Sequence, residues 1–176
     1  MRYLLFIITL LSMLQNKVIF DFERELDLED WKLVLDGVMG GLSTGDFYLN
    51  DDGYAVFEGV VSLENNGGFS SVRYDLPKME IGSSEFVILK LKGDGKNYQF
   101  RVKNKDSNYY SYIIEFCTNK EWQEIKIPLD KMYPSFRGRK LNQPNFNHDH
   151  IDEIAILIGN KKNEAFKLLI AKIELQ

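Results

Sequence analysis

Residues 58–73 read EGVVSLENNGGFSSVR. Apolar and small residues flank Asn65, Asn66, Gly67 and Gly68, and Asn and Gly enter positive φ at the least steric cost, so the run reverses the chain. The pattern predicts a hairpin that sets Val61 and Leu63 alongside Phe69 and Val72 and holds Arg73 on a rigid strand. A glycine loop cradling a ligand competes for the same four residues. The turn is preferred, because glycine serves it without any ligand.

Strand patterns continue on both sides. Trp31, Leu33 and Leu35 alternate with period two until Asp36-Gly37 and then Gly40-Gly41 break the run. Asp52-Gly53 separates Phe47-Tyr48-Leu49 from Tyr54-Ala55-Val56-Phe57, the strongest short-range hairpin pattern there is. Val87, Leu89 and Leu91 predict an inward face for one strand. Tyr98, Phe100 and Val102 do so for the next, leaving Gln99, Arg101 and Lys103 on the opposite face. A turn at Asp106 to Asn108 precedes Tyr110, Tyr112, Ile114 and Phe116, and Ile125, Ile127 and Leu129 follow. Residues 133–150 read as irregular. Ile154, Ile156 and Ile158 form one more strand; Phe166, Leu168 and Ile170 form the last, whose parity shifts before Ile173 and Leu175 as a bulge requires. Short strands with turn chemistry between them and no βαβ alternation predict an all-β, antiparallel two-sheet sandwich of jelly-roll type.

A chain of 176 residues with 44% hydrophobic content suits one globular domain. Arg2, the apolar run that follows and the polar Gln15, Asn16 and Lys17 have the composition of an export leader. Residues 1–17 are therefore read as a signal peptide and residues 18–176 as the domain, in the periplasm or outside the cell. The run is short for a bilayer helix. A retained, membrane-associated amino terminus is the alternative. The net charge of −4 argues against nucleic acid as a partner, because that surface needs clustered Lys and Arg. The single cysteine, Cys117, excludes an intrachain disulfide or a multi-cysteine zinc site and is expected to be buried on its strand.

The blocks WKLVLDGVMGGLS, GGFSSVR, GDGKNYQFR and FRGR occur in that order between Trp31 and Arg139, and FKLLIAKIEL closes the chain. Together they resemble the complex I intermediate-associated protein 30 family over nearly the whole domain. The resemblance implies a β-sandwich like galactose-binding modules and a non-catalytic role in assembling NADH:ubiquinone oxidoreductase. By position it places binding residues at Asp36, Met39, Gly40, Gly41 and Ser43, at Arg73, at Tyr98 and Arg101, and at Arg137 and Arg139.

Four arginines on one sheet face would bind an acidic or polyhydroxyl ligand through planar, bidentate hydrogen bonds. The alternative is that they pair with Asp36, Asp94 or Glu58 and fix loops. The two readings stand level for Arg73 and Arg101, while the turn residues around Arg137 and Arg139 favour the structural role. Trp31 and Trp122 are expected in the core. His148, Asp149 and His150 are expected in a solvated loop and not on a metal. Hydrolase, nucleotide-binding and nucleophile motifs are missing from the sequence, and neither a catalytic residue nor a cofactor is expected. The expected partner is a protein, such as a respiratory-complex assembly intermediate, with peripheral membrane association. The second reading is an exported carbohydrate-binding module presenting Tyr98, Tyr110, Tyr112 and Arg101 on a concave sheet face to a glycan.

Overall fold

A computed structural model of the chain describes residues 16–105 and 109–176. Most of the expected leader, up to residue 15, and the turn expected at 106–108 lie outside the described residues. The strands are β1 (Lys17–Asp21), β2 (Trp31–Leu35), β3 (Thr44–Leu49), β4 (Ala55–Val61), β5 (Ser70–Glu80), β6 (Phe86–Lys92), β7 (Asn97–Lys103), β8 (Ser111–Cys117), β9 (Trp122–Pro128), β10 (Tyr133–Phe136), β11 (Arg139–Lys140), β12 (His150–Ile158) and β13 (Glu164–Leu175). One sheet runs β3-β4-β13-β6-β9, with β1 also on β13; the other runs β11-β10-β8-β7-β12-β5-β2. All these pairings are antiparallel, and no α-helix occurs among the described residues.

Period-two patterning closes the two layers. Val87, Leu89 and Leu91 from the smaller sheet meet Tyr98, Phe100, Val102, Ile154, Ile156 and Ile158 from the larger one in a single buried cluster. A ring nest seals one side of it. Trp31 stacks on Tyr74 with centroids 5.0 Å apart, and Phe20, Phe22 and Phe47 pack around its indole at 5.2 to 5.4 Å. The parity shift expected in β13 is a register break between Ile170 and Lys172 against β6, which keeps Ile170, Ile173 and Leu175 all buried. The Asp52-Gly53 reversal joins β3 to β4, with Gly53 at φ 80°.

The hairpin expected at residues 58–73 does not form. β4 pairs with β3 and β13, while β5 pairs with β2 and β12, so residues 62–69 pass from one sheet to the other. Asn65 and Asn66 do take positive φ, 54° and 62°. Local turn chemistry sets where a chain bends but not which strands then pair. The amide N–H groups that a hairpin ladder would have used are instead captured by Asp36, as described below.

Four smaller expectations are corrected. Cys117 is exposed, because the alternation that turns Phe116 inward turns its neighbour outward. Trp122, at the start of an edge strand, is 39% exposed and packs on Tyr54 with ring centroids 4.6 Å apart. His150 is no loop residue but the buried first residue of β12, where its imidazole meets Asp149 and Asn104. Residues 133–150 also hold the short strands β10 and β11, and Arg137 at φ 48° with Gly138 at φ 73° makes the two-residue turn between them.

Candidate functional site

Where β2 ends, Asp36–Met39 form one turn of 3-10 helix closed by Gly40 at φ 88°. This brings the Asp36 carboxylate back under the chain. One carboxylate oxygen accepts the amide N–H of Ser43 at 3.0 Å. The other accepts the amides of Gly68 at 2.6 Å and Phe69 at 3.2 Å together with the Ser43 hydroxyl. Ser43 Oγ in turn accepts the amide of Ser62 at 2.9 Å. Asp36 and Ser43 are both buried. Burial alone raises the Asp36 pKa, but the donors from Ser43, Gly68 and Phe69 outweigh it and hold the group below the ordinary carboxylate range.

Gly41 passes so close that a Cβ there would sit 2.3 Å from the Asp36 carboxylate and 2.8 Å from Gly67 Cα. Two loops that each cross between the sheets, 36–43 and 62–69, are thus fastened by one carboxylate. At their outer surface stand Met39, Leu42 and Leu63, 63%, 52% and 42% exposed. These exposed aliphatic side chains are carried on loops held together by buried hydrogen bonds.

A second feature lies on the outward face of the larger sheet. The register aligns Lys32, Arg73, Ala155, Arg101, Ile113 and Tyr133 across six strands. Arg73 and Arg101 therefore flank Ala155, one strand to each side. Arg101 donates from Nε and Nη2 to Gln99 Oε1 at 3.2 and 2.6 Å. Burial, reinforced by the charge of Arg73, pushes its pKa down to about 10. Neither arginine has a carboxylate within ion-pairing distance among the described residues. Burial and the nearby Glu115 charge raise the pKa of Tyr133.

The four arginines do not converge. Arg137 and Arg139 lie in the β10–β11 hairpin at the far edge, with Arg137 over the Phe136 ring, three strands from Arg101 on β7. Nor does any of the four pair with the expected carboxylates among the described residues. Asp36 is engaged by the loops, Asp94 binds Lys96 and Tyr98, and Glu58 binds Lys167 and Tyr48. Tyr98 is buried on the inner face with its hydroxyl donating to Asp94 Oδ1 at 3.1 Å; burial first, then the Asp94 charge, raises its pKa. Tyr112 is buried as well. An odd spacing in a strand puts Tyr98 and Arg101 on opposite faces, so the expected tyrosine face for a glycan is core.

Sequence reasoning missed Leu63, Ala155 and Tyr133. Leu63 was assigned inside a hairpin. Ala155 carried a visible mark, a lone small residue between Ile154 and Ile156, but its place between two arginines is a matter of register.

The model of the family described as Complex I intermediate-associated protein 30 matches residues 20–170. The mouse protein "Complex I intermediate-associated protein 30, mitochondrial" (Mus musculus) is 25% identical over 181 residues, covering 89% of this chain and 55% of its own length. The Drosophila melanogaster protein of the same name is 23% identical over 147 residues, covering 71% and 50%. The chain thus spans about half the length of these relatives. Among solved structures, the family 11 carbohydrate-binding module of Clostridium thermocellum, in complex with a β-1,3-1,4-mixed-linked tetrasaccharide, superposes with a TM-score of 0.69 at 17% identity, covering 91% of this chain and 94% of the module. A family 29 carbohydrate-binding module gives 0.52 at 10%, covering 92% and 90%. At these identities the likeness is one of fold.

Proposed function

The chain belongs to the complex I intermediate-associated protein 30 family, and on that premise we propose that it is a non-enzymatic protein-binding module that holds a partner during assembly, a reading supported by the relatives' name, which associates them with a complex I intermediate. The observation that carries this reading is the Asp36 clamp, which fixes two loops and leaves Met39, Leu42 and Leu63 in solvent. Met is a common docking residue because its thioether adapts to uneven surfaces, and a rigid frame lets such residues act as anchors. Asp36 and Ser43, both buried, build that surface from beneath, while Gly40 and Gly41 give the loop its path at the surface. Residues 1–17 are proposed to export the chain, which the mass of the mature amino terminus tests.

The test of docking is the double variant Met39→Asp with Leu42→Asp, used as bait in cross-linking mass spectrometry on native respiratory membranes. The expected result is loss of the cross-links that wild type makes, with the amides of Gly68 and Phe69 still protected from hydrogen exchange. Unchanged cross-links would remove the loop end from the interface.

One observation favours a second reading, binding of a glycan. Trp122, exposed at the start of edge strand β9, packs on the half-buried Tyr54 that precedes β4, and flat rings stack on sugars. Retardation by a mixed-linked β-glucan in affinity electrophoresis, lost in Trp122→Ala, would support it over protein docking.

A further inference from the structure

The outer face of the smaller sheet carries an open trough of about 550 Å³ that begins where the docking loops end. Strand alternation explains the join. Thr44 and Asp46 on β3 lie opposite Val60 and Glu58 on β4, and Ala165 and Lys167 on β13 continue the two rows. These side chains point outward, because their neighbours Phe57 and Phe166 are buried. Val60, 47% exposed, is three residues from Leu63, and Thr44 is two from Leu42. The apolar surface of Met39, Leu42 and Leu63 therefore runs onto the trough floor of Val60, Gly59 and Ala165.

The walls are charged, and their pairing leaves a remainder. Lys167 binds Glu58 Oε2 at 2.6 Å, while the Tyr48 hydroxyl donates to Glu58 Oε1 at 2.8 Å. Lys96 binds Asp94 at 2.7 Å. Both lysines of the trough are thus matched within it. Asp46 is not. It is exposed, faces Glu58 directly across the strand pair, and makes no hydrogen bond or ion pair among the described residues. Like charges so placed repel, and the trough is left with a negative excess.

That excess selects the occupant. Nucleic acid and acidic lipid would add to the repulsion. A divalent cation lacks ligands: among the described residues no three His, Cys, Asp or Glu side chains group to hold one, and both Glu58 oxygens are engaged. A lysine or arginine side chain meets both features, laying its methylenes on Gly59, Val60 and Ala165 while its charged head reaches Asp46.

We propose that this trough takes a lysine or arginine of the protein partner, from the same segment whose apolar residues dock on Met39, Leu42 and Leu63. The proposal rests on the function given above and names the partner chemistry of that surface. Leu42 and Asp46 are four residues apart in the chain, at most about 14 Å. The basic residue therefore lies about four residues from the apolar anchors in an extended partner segment.

The test records amide NMR spectra of the full chain during titration with N-acetyl-lysine N-methylamide and N-acetyl-arginine N-methylamide, against the N-acetyl-norleucine analogue at equal ionic strength. The basic probes are expected to shift Asp46, Gly59 and Ala165 and to bind at least fivefold tighter than norleucine. Asp46→Asn keeps the shape, removes the charge and is expected to remove that preference, with the rest of the spectrum in place. No preference for the basic probes, or one retained in Asp46→Asn, would overturn the trough as a cation site. The partner is read separately, by cross-linking on respiratory membranes. Asp46→Lys is expected to cut at least fivefold the cross-links that Met39→Asp with Leu42→Asp removes. Cross-links unchanged in Asp46→Lys but lost in the loop variant would overturn the partner assignment and leave loop docking intact. Cross-links kept in the loop variant as well would remove loop docking and the partner assignment with it, while the probe titration still decides the trough.

Discussion

Replacing Asp36 with Asn keeps the size of the side chain and removes its charge. In the native loop the carboxylate accepts three backbone N–H groups and one hydroxyl. An amide has one acceptor oxygen. Whichever way it turns, its NH2 group faces donors, either the Ser43 amide or the Gly68 and Phe69 amides with the Ser43 hydroxyl. Hydrogen bonds to a charged acceptor contribute about 1.5–3 kcal/mol each, and a buried donor left without a partner costs about 1–3 kcal/mol. Some bonds re-form on the remaining oxygen, so a net loss of about 3 kcal/mol is expected. For a domain of this size that lowers Tm by roughly 6–12 °C. The loss is measured by urea denaturation at pH 7, with hydrogen exchange at Gly68 and Phe69 as the local readout. The same clamp sets a pH dependence. Because the folded pKa of Asp36 is depressed, its stabilisation is fully present above the unfolded value of about 3.9 and is lost as pH falls through the folded pKa. Asp36→Asn removes that component of acid sensitivity. A variant within about 0.5 kcal/mol of wild type, smaller than a typical single lost hydrogen bond, with both amides still protected, would refute the clamp.

Gly41→Ala places a methyl carbon against the Asp36 carboxylate and Gly67; it is expected to cost about 1–3 kcal/mol and to expose the same amides to exchange. Trp31→Ala removes the indole from among Phe20, Phe22, Phe47 and Tyr74, for an expected loss of about 3–5 kcal/mol in denaturant unfolding. Arg101→Met behaves in the opposite way. The folded pKa of Arg101 is depressed to about 10, so the charged form is disfavoured by folding below that pH and the penalty fades only above it. Stability at pH 7 is therefore expected to stay level or rise by about 1 kcal/mol in urea denaturation. A marked loss of stability in urea would make Arg101 architectural.

Much of the fold is legible in the residue order because alternation is a local property. Val87, Leu89 and Leu91, or Tyr98, Phe100 and Val102, declare their inner face without reference to any other strand, and the shift from Ile170 to Ile173 declares a bulge. The same reasoning fails at the ends of runs. Trp122 and Cys117 were assigned to the core by residue type, yet an edge strand and strand parity turn them outward. Asp36 was legible as a special position but not as a clamp, because its partners lie in a loop some thirty residues on.

By itself the sequence determined an all-β chain, the places where it bends and the face each strand buries, since φ preference and period-two alternation act over a few residues. Tertiary structure alone decided that 62–69 crosses between sheets, that Arg73 and Arg101 flank Ala155 while Arg137 and Arg139 lie at the edge, and that Asp36 closes the loop end. Those outcomes depend on which distant strands become neighbours and in what register. That choice is made by the whole buried core at once, and no short window of residues contains it.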